Sequence, residues 1–167
     1  MIEFGGLGVA LLGICIIFNL PTRSKLREHR AYLATLVMSL ILFAAGGGLG
    51  LAISGQNVTI PAHYHGEIVG ITLALMGLAY CMLPRFGYQS VAATRLAYWQ
   101  PIVYGIGQLM HIGGLGYSGG YGVLRKTPGA IADIGLNVKI ALGIMGMGGL
   151  LAVIGGLLFV VVMLRAK

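Results

Sequence analysis

Two histidines stand one residue apart at the start of a long apolar stretch, in the segment IPAHYHGEIVG at residues 60–70. Ionisable side chains are costly inside a membrane and are usually functional there. Successive residues of a helix are offset by about 100°, so His63 and His65 differ by about 200° and must face opposite sides. A single chelated metal would need i, i+4 spacing on one face. The pair therefore favours two separate partners, one on each side of a helix.

Haem is the cofactor that fits this arrangement. Neutral imidazole is a common axial ligand of haem iron, and a porphyrin slots between packed helices where glycine clears space, as Gly66 would beside the pair. Glu67 lies one turn after His63 on the same face and could act as an ion-pair or proton-relay partner. Both histidines could equally bond to neighbouring helices or to interfacial water. The residues alone leave these interpretations open.

Other polar side chains recur at helical spacing along a later apolar stretch. They are Gln100, Tyr104, Gln108 and His111. This stripe could line a cofactor edge or a water path, or it could simply bond to neighbouring helices. Beyond it, Arg125 and Lys126 lie in a loop where cations could receive the propionate carboxylates of two haems.

The elements that must position these residues are membrane helices. The chain has 167 residues, of which 57% are hydrophobic and 9% charged, and its mean hydropathy is +0.92, values that no ordinary soluble domain of this length has. Five apolar stretches are each near or above the ~20 residues that cross a hydrocarbon core. They cover approximately residues 4–20, 31–54, 58–83, 96–118 and 135–164. We predict an all-α membrane protein, a bundle of five transmembrane helices forming one domain over residues 1–167.

The cations indicate the orientation of the bundle. They cluster after the first stretch, after the third stretch and at the end of the chain: Arg23, Lys25, Arg27, Arg30, Arg85, Arg95, Arg165 and Lys167. By the positive-inside rule these segments are cytoplasmic. The N-terminus is then outside, the C-terminus is cytoplasmic, and the two histidines lie on the outer side of a multi-pass protein of the cell inner (cytoplasmic) membrane. The net charge of +7 thus reflects orientation, and no nucleic-acid partner is predicted.

Residues 62–84, AHYHGEIVGITLALMGLAYCMLP, resemble the tenth helix of the catalytic subunit I of haem-copper oxidases and nitric oxide reductases. In that family an Ala-His-X-His segment near the outer surface carries the ligand of the high-spin haem first and a ligand of the low-spin haem second. The resemblance implies that His63 is the high-spin ligand and His65 the low-spin ligand, and these two are the predicted metal ligands.

Residues 109–129, LMHIGGLGYSGGYGVLRKTPG, are similar to the end of the family's eleventh helix. The likeness implies that Arg125 and Lys126 bind haem propionates. His111 matches a histidine that is not a haem ligand in the family, and we place it among the predicted cofactor-binding residues. The resemblance implies that the chain corresponds to the last five helices of subunit I.

The family's remaining metal ligands have no counterpart here. Its copper ligands lie on the sixth and seventh helices, and the second ligand of the low-spin haem comes from the second helix. We therefore expect that this chain is not catalytic alone. An integral membrane partner chain would supply the other helices and the copper or non-haem iron.

The function that the resemblance implies is a haem-binding membrane subunit of a haem-copper-oxidase-like respiratory complex, similar to cytochrome c oxidase subunit I. It would hold one or two haems of b-type, take electrons from cytochrome c, a cupredoxin or a quinol, and pass them to a site that reduces oxygen or nitric oxide. Two alternatives stay open. One is a membrane cytochrome subunit for quinol-linked electron transfer without oxygen chemistry, and the other is a cofactor-free accessory subunit.

Overall fold

The computed structural model describes residues 11, 13–15, 18, 29–125 and 135–167, and in these residues the chain is mostly helical and contains no strand. The helices are α1 (Arg30–Leu51), α2 (Thr59–Met82), α3 (Arg95–Gly120) and α4 (Leu136–Leu164). A short 3₁₀ helix, Leu83–Phe86, continues α2. Of the first predicted span, the described residues 11, 13–15 and 18 are helical, and the rest of that span lies outside the described residues.

Three of these helices are long and apolar enough to cross a membrane: α1, α2 with its 3₁₀ extension, and α4. A helix satisfies its own backbone hydrogen bonds in lipid, so this composition indicates a membrane protein. The fourth predicted span forms α3, which has 26 residues, but its glutamines and His111 lower its hydropathy and it is not among the three. Three parts of the sequence-based description stay predictions. They are the membrane crossing of α3, the arrangement of five helices as one bundle, and the orientation of that bundle.

The helix ends follow from local hydrogen bonds. Helix α1 ends at Leu51, three residues before the predicted boundary, because the chain turns at Gly55 with φ 73°. Asn57 holds that turn, since its side-chain amide donates to the Ser54 carbonyl over 2.7 Å and its side-chain oxygen accepts from the Thr59 N–H over 3.0 Å. Thr94 caps α3 by accepting from the Ala97 N–H.

Glycine contacts set how the helices pack. Helices that follow one another in the chain run antiparallel, and in the pairs α1–α2 and α3–α4 the backbones touch where two glycines meet. A Cβ added at Gly66 would lie 2.7 Å from the Cα of Gly46, and one added at Gly148 would lie 2.6 Å from the carbonyl oxygen of Gly107. Such small residues let helices approach closely in lipid, where packing drives association. The pair α1–α2 and the pair α3–α4 are therefore locked at fixed registers.

Candidate functional site

The two connections at one end of the bundle lie side by side. The Val58 N–H donates to the Val123 carbonyl over 2.9 Å, and the Arg125 N–H donates to the Gln56 carbonyl over 3.3 Å. A single antiparallel bridge joins Asn57 and Leu124 between them. These bonds bring Arg125 to the same end of the bundle as the histidine pair. Lys126, its predicted partner, lies outside the described residues.

His63 lies in the second turn of α2 and rests on α1. Its Nδ1 is 2.8 Å from the carbonyl oxygen of Gly46. A carbonyl can only accept, so Nδ1 carries a proton and the neutral ring presents Nε2 as a free lone pair. The ring also lies close to Gly50, where an added Cβ would be 2.7 Å from Nδ1. Histidines that bind metals are oriented in this way, with the second ring nitrogen donating to a carbonyl or carboxylate.

Glu67 stands beside the free nitrogen of His63. Its Oε2 is 3.8 Å from His63 Nε2, and the side chains of His63 and Glu67 are 30% and 33% exposed. The predicted contact one turn along α2 is therefore present. On the α1 side Glu67 lies next to Gly47, since a Cβ added there would be 4.0 Å from Glu67 Oε1.

His65 points the other way, towards α3. Its Nε2 is 3.0 Å from Gln108 Oε1, so with the amide oxygen facing the ring, Nε2 donates and Gln108 accepts. The ring of His111 packs against it with centroids 4.9 Å apart. The two imidazoles of α2 thus contact different helices, in agreement with the spacing. They differ in one respect, because the Nε2 of His65 is already bonded.

The polar stripe of α3 bonds to the neighbouring helices. Gln100 is fully buried; its oxygen accepts from the Tyr80 hydroxyl over 2.9 Å and its nitrogen donates to the Gly155 carbonyl over 3.1 Å. His111 Nδ1 lies 3.1 Å from the Met145 carbonyl oxygen, to which it donates. Of the two interpretations that the sequence left open, these contacts favour the structural one for Gln100 and His111. Gln108 and His111 are the members of the stripe that reach His65, Gln108 through a hydrogen bond and His111 through ring packing.

Replacing Gln100 by leucine is expected to destabilise the bundle by about 1–2 kcal/mol. The variant leaves the Tyr80 hydroxyl and the Gly155 carbonyl without their partner, and interhelical hydrogen bonds in membrane proteins contribute about 0.6 kcal/mol each and up to about 1.7. Thermal unfolding in detergent measures the change. Gln89→Leu is the matched control because its side chain is exposed. Equal unfolding temperatures for the two variants would show that Gln100 does not join the three helices.

Several contacts of this site carry no signal in the sequence. The partners of His63 and His111 are the backbone carbonyls of Gly46 and Met145, which any residue possesses. The GGGLG segment at residues 46–50 indicates close packing but does not reveal which side chain it receives. In the described part of the chain, no three His, Cys, Asp or Glu side chains gather as a metal-binding group. Haem iron needs only one or two protein ligands, so the lack of a three-residue group does not test haem binding.

Comparison with known proteins leaves the family open. No family model matches the chain, and no solved structure matches it. An uncharacterized protein of Rickettsia prowazekii (strain Madrid E) is 39% identical over 149 residues, which are 83% of this chain and 29% of that protein. An uncharacterized protein of Aquifex aeolicus (strain VF5) is 35% identical over 57 residues, 34% of this chain and 15% of that protein. The chain spans less than a third of the length of either relative.

Proposed function

We propose that this chain is a haem-binding membrane subunit of a haem-copper-oxidase-like respiratory complex in the cell inner membrane. One observation carries the proposal: the bond from His63 Nδ1 to the Gly46 carbonyl fixes the imidazole with its Nε2 free. Imidazole held in this way is prepared to be an axial ligand. The likeness of residues 62–84 to the tenth helix of subunit I supports the assignment of this ligand to the high-spin haem.

The surroundings of His63 fit a flat macrocycle. The α2 backbone and the His63 ring fill the space over Gly46 and Gly50, whereas nothing lies within 4 Å of a Cβ placed at Gly48 and only Glu67 Oε1 lies 4.0 Å from one placed at Gly47, so a flat group could approach α1 on that open side. Arg125 lies at the same end of the bundle and is a cation that can pair with propionate carboxylates. We place the haem on this side of α2 for these reasons.

His65 is less available than His63 as a ligand of haem iron. Its Nε2 bonds to Gln108, so iron could bind that nitrogen only if the Gln108 side chain turned aside. This bond favours a second candidate function, in which a single haem on His63 serves a membrane cytochrome subunit for quinol-linked electron transfer. In that case His65, Gln108 and His111 hold the helices together.

When bound, haem supplies one-electron iron chemistry, and its potential depends on axial ligation, hydrogen bonding and burial. The residues of this chain supply the setting. The Gly46 carbonyl keeps the His63 ring oriented, and the carboxylate of Glu67 lies 3.8 Å from His63 Nε2. Copper or non-haem iron, the second low-spin ligand and the remaining helices belong to an integral membrane partner chain, and cytochrome c, a cupredoxin or a quinol supplies the electrons.

A sequence similar to most of this chain makes up 29% of the Rickettsia prowazekii protein, so in that relative the matched stretch is part of a much longer polypeptide.

The test is the haem content of the native complex, purified through a tag on this chain. We expect two haems, with a low-spin signal and a second haem whose reduced spectrum changes with carbon monoxide. One haem for each chain would favour the cytochrome candidate. A complex without haem would contradict both and leave a cofactor-free accessory subunit.

The variant His65→Ala separates the two haem-binding candidates. If His65 holds the low-spin haem, we expect the variant to lose the low-spin signal and keep the carbon-monoxide-reactive haem, because the ligands face different helices. Gln108→Leu is the matched control, since it removes the bond to His65 without removing the ligand, and its low-spin haem should persist. A spectrum unchanged in His65→Ala would contradict the low-spin assignment. Reduced-minus-oxidised spectra of the purified variants measure both.

A further inference from the structure

A groove opens between α1 and α3 at the end of the bundle away from the histidines. Its volume is about 480 Å³, and it is lined by apolar side chains with one cation at its mouth: Leu33, Val37, Met38, Tyr98, Ile102 and Arg30. From Arg30 to Met38 the groove follows two turns of α1, roughly 12 Å at 1.5 Å per residue. Its walls are apolar along this length, and its single charge is at one end.

Arg30 lies at the mouth, and none of the described residues gives it an anionic partner. Its Nη2 donates to the Ala93 carbonyl, and its guanidinium carbon lies 5.7 Å from the ring centroid of Tyr98. Its Nε is buried and makes no hydrogen bond. No carboxylate of the described residues lies within ion-pair distance of it; in those residues the close contact between a carboxylate and a basic group is that of Glu67 with His63 Nε2, at 3.8 Å. A buried donor without a partner is costly, so the site favours a ligand that supplies an anionic oxygen.

The charge around the groove is positive. Arg95 begins α3 at this end, Arg85 follows α2, and Arg165 and Lys167 follow α4. Glu67, the one acidic side chain among the described residues, lies at the other end of the bundle beside His63. Glu28 adjoins this end in the sequence and lies outside the described residues. Basic pockets between membrane helices are a known setting for the head groups of anionic lipids.

We propose that the groove binds an anionic phospholipid, with the phosphate on Arg30 and one acyl chain along α1 and α3. The apolar walls beyond the cation distinguish this ligand from a free phosphate, which would use the mouth alone. Phosphatidylcholine would fill the same walls but carries no net charge. The site is independent of the haem proposal, because it shares no residue with the histidine end.

The experiment titrates the delipidated, purified complex in detergent with dioleoyl phosphatidylglycerol and, separately, with dioleoyl phosphatidylcholine, and counts bound lipid by native mass spectrometry. The wild type is expected to hold phosphatidylglycerol preferentially. Arg30→Gln should weaken that binding about fivefold, the factor expected for one basic residue near a lipid surface. Arg165→Gln is the matched control, because Arg165 is an exposed cation at the same end.

A second variant tests the groove itself. Ala34 also lines it, so Ala34→Leu should reduce binding of both lipids while Arg30 keeps its charge. If Arg30→Gln does not fold, Arg30→Lys replaces it and should retain most of the preference for phosphatidylglycerol.

Two outcomes would overturn the proposal. One is equal binding of the two lipids by the wild type, and the other is undiminished phosphatidylglycerol binding in both Arg30→Gln and Ala34→Leu.

Discussion

Replacing His63 by alanine is expected to remove the carbon-monoxide-reactive haem from the purified complex. The side chain is the proposed axial ligand, and its Nε2 is left free by the bond from Nδ1 to the Gly46 carbonyl. Loss of a partner that merely orients a ligand already costs 10–100-fold in metal affinity, so loss of the ligand should weaken haem binding by at least about 100-fold. Haem content relative to protein, measured as the pyridine haemochrome, reports the change.

The control for this variant is His29→Ala. His29 is exposed, precedes α1 at the other end of the bundle and stacks on Tyr32 with ring centroids 5.7 Å apart. Its removal should leave the haem in place. Added imidazole should restore part of the signal in His63→Ala, because the free ligand can occupy the space of the missing ring. The same haem content in the His63 and His29 variants would contradict ligation by His63.

Replacing Gly46 by alanine is expected to destabilise the packing of α1 against α2. An added Cβ would lie 2.7 Å from the Glu67 backbone nitrogen and 2.9 Å from the His63 carbonyl oxygen. These are backbone atoms that cannot turn aside, so α1 and α2 must separate. Overpacking of this kind costs about 1–3 kcal/mol, and the separation also draws the Gly46 carbonyl away from the His63 ring. We therefore expect a lower unfolding temperature together with weaker haem binding.

Gly48→Ala is the matched control on the same helix. Nothing lies within 4 Å of a Cβ placed there, and alanine is favoured over glycine in a helix by up to about 1 kcal/mol. This variant should be as stable as the wild type or more stable. Unfolding should be measured with and without haem, since the packing effect does not depend on the cofactor. A Gly46→Ala protein as stable as Gly48→Ala would show that α1 and α2 do not meet at this point.

The helix boundaries, and the side of each helix on which a residue lies, could be predicted well from the sequence. The predicted boundaries for α1, α2 and α4 lie within three residues of the observed ones, because a run of apolar residues long enough to cross a membrane must satisfy its backbone internally. The opposite directions of His63 and His65, and the contact of His63 with Glu67, follow from helical geometry alone. For the same reason, the sequence showed Gln100, Gln108 and His111 as one stripe.

What the sequence by itself determined is therefore the membrane character of the chain, its helices and the sides on which their polar residues stand. The tertiary structure decided what those residues touch: His63 meets the Gly46 carbonyl, His65 meets Gln108, and Gln100 joins Tyr80 to Gly155. The physical reason is that helical spacing places residues on a face but does not fix the register of the next helix. That register is set where glycine backbones meet, at Gly46 with Gly66 and at Gly107 with Gly148, and it emerges only from the packing of whole helices.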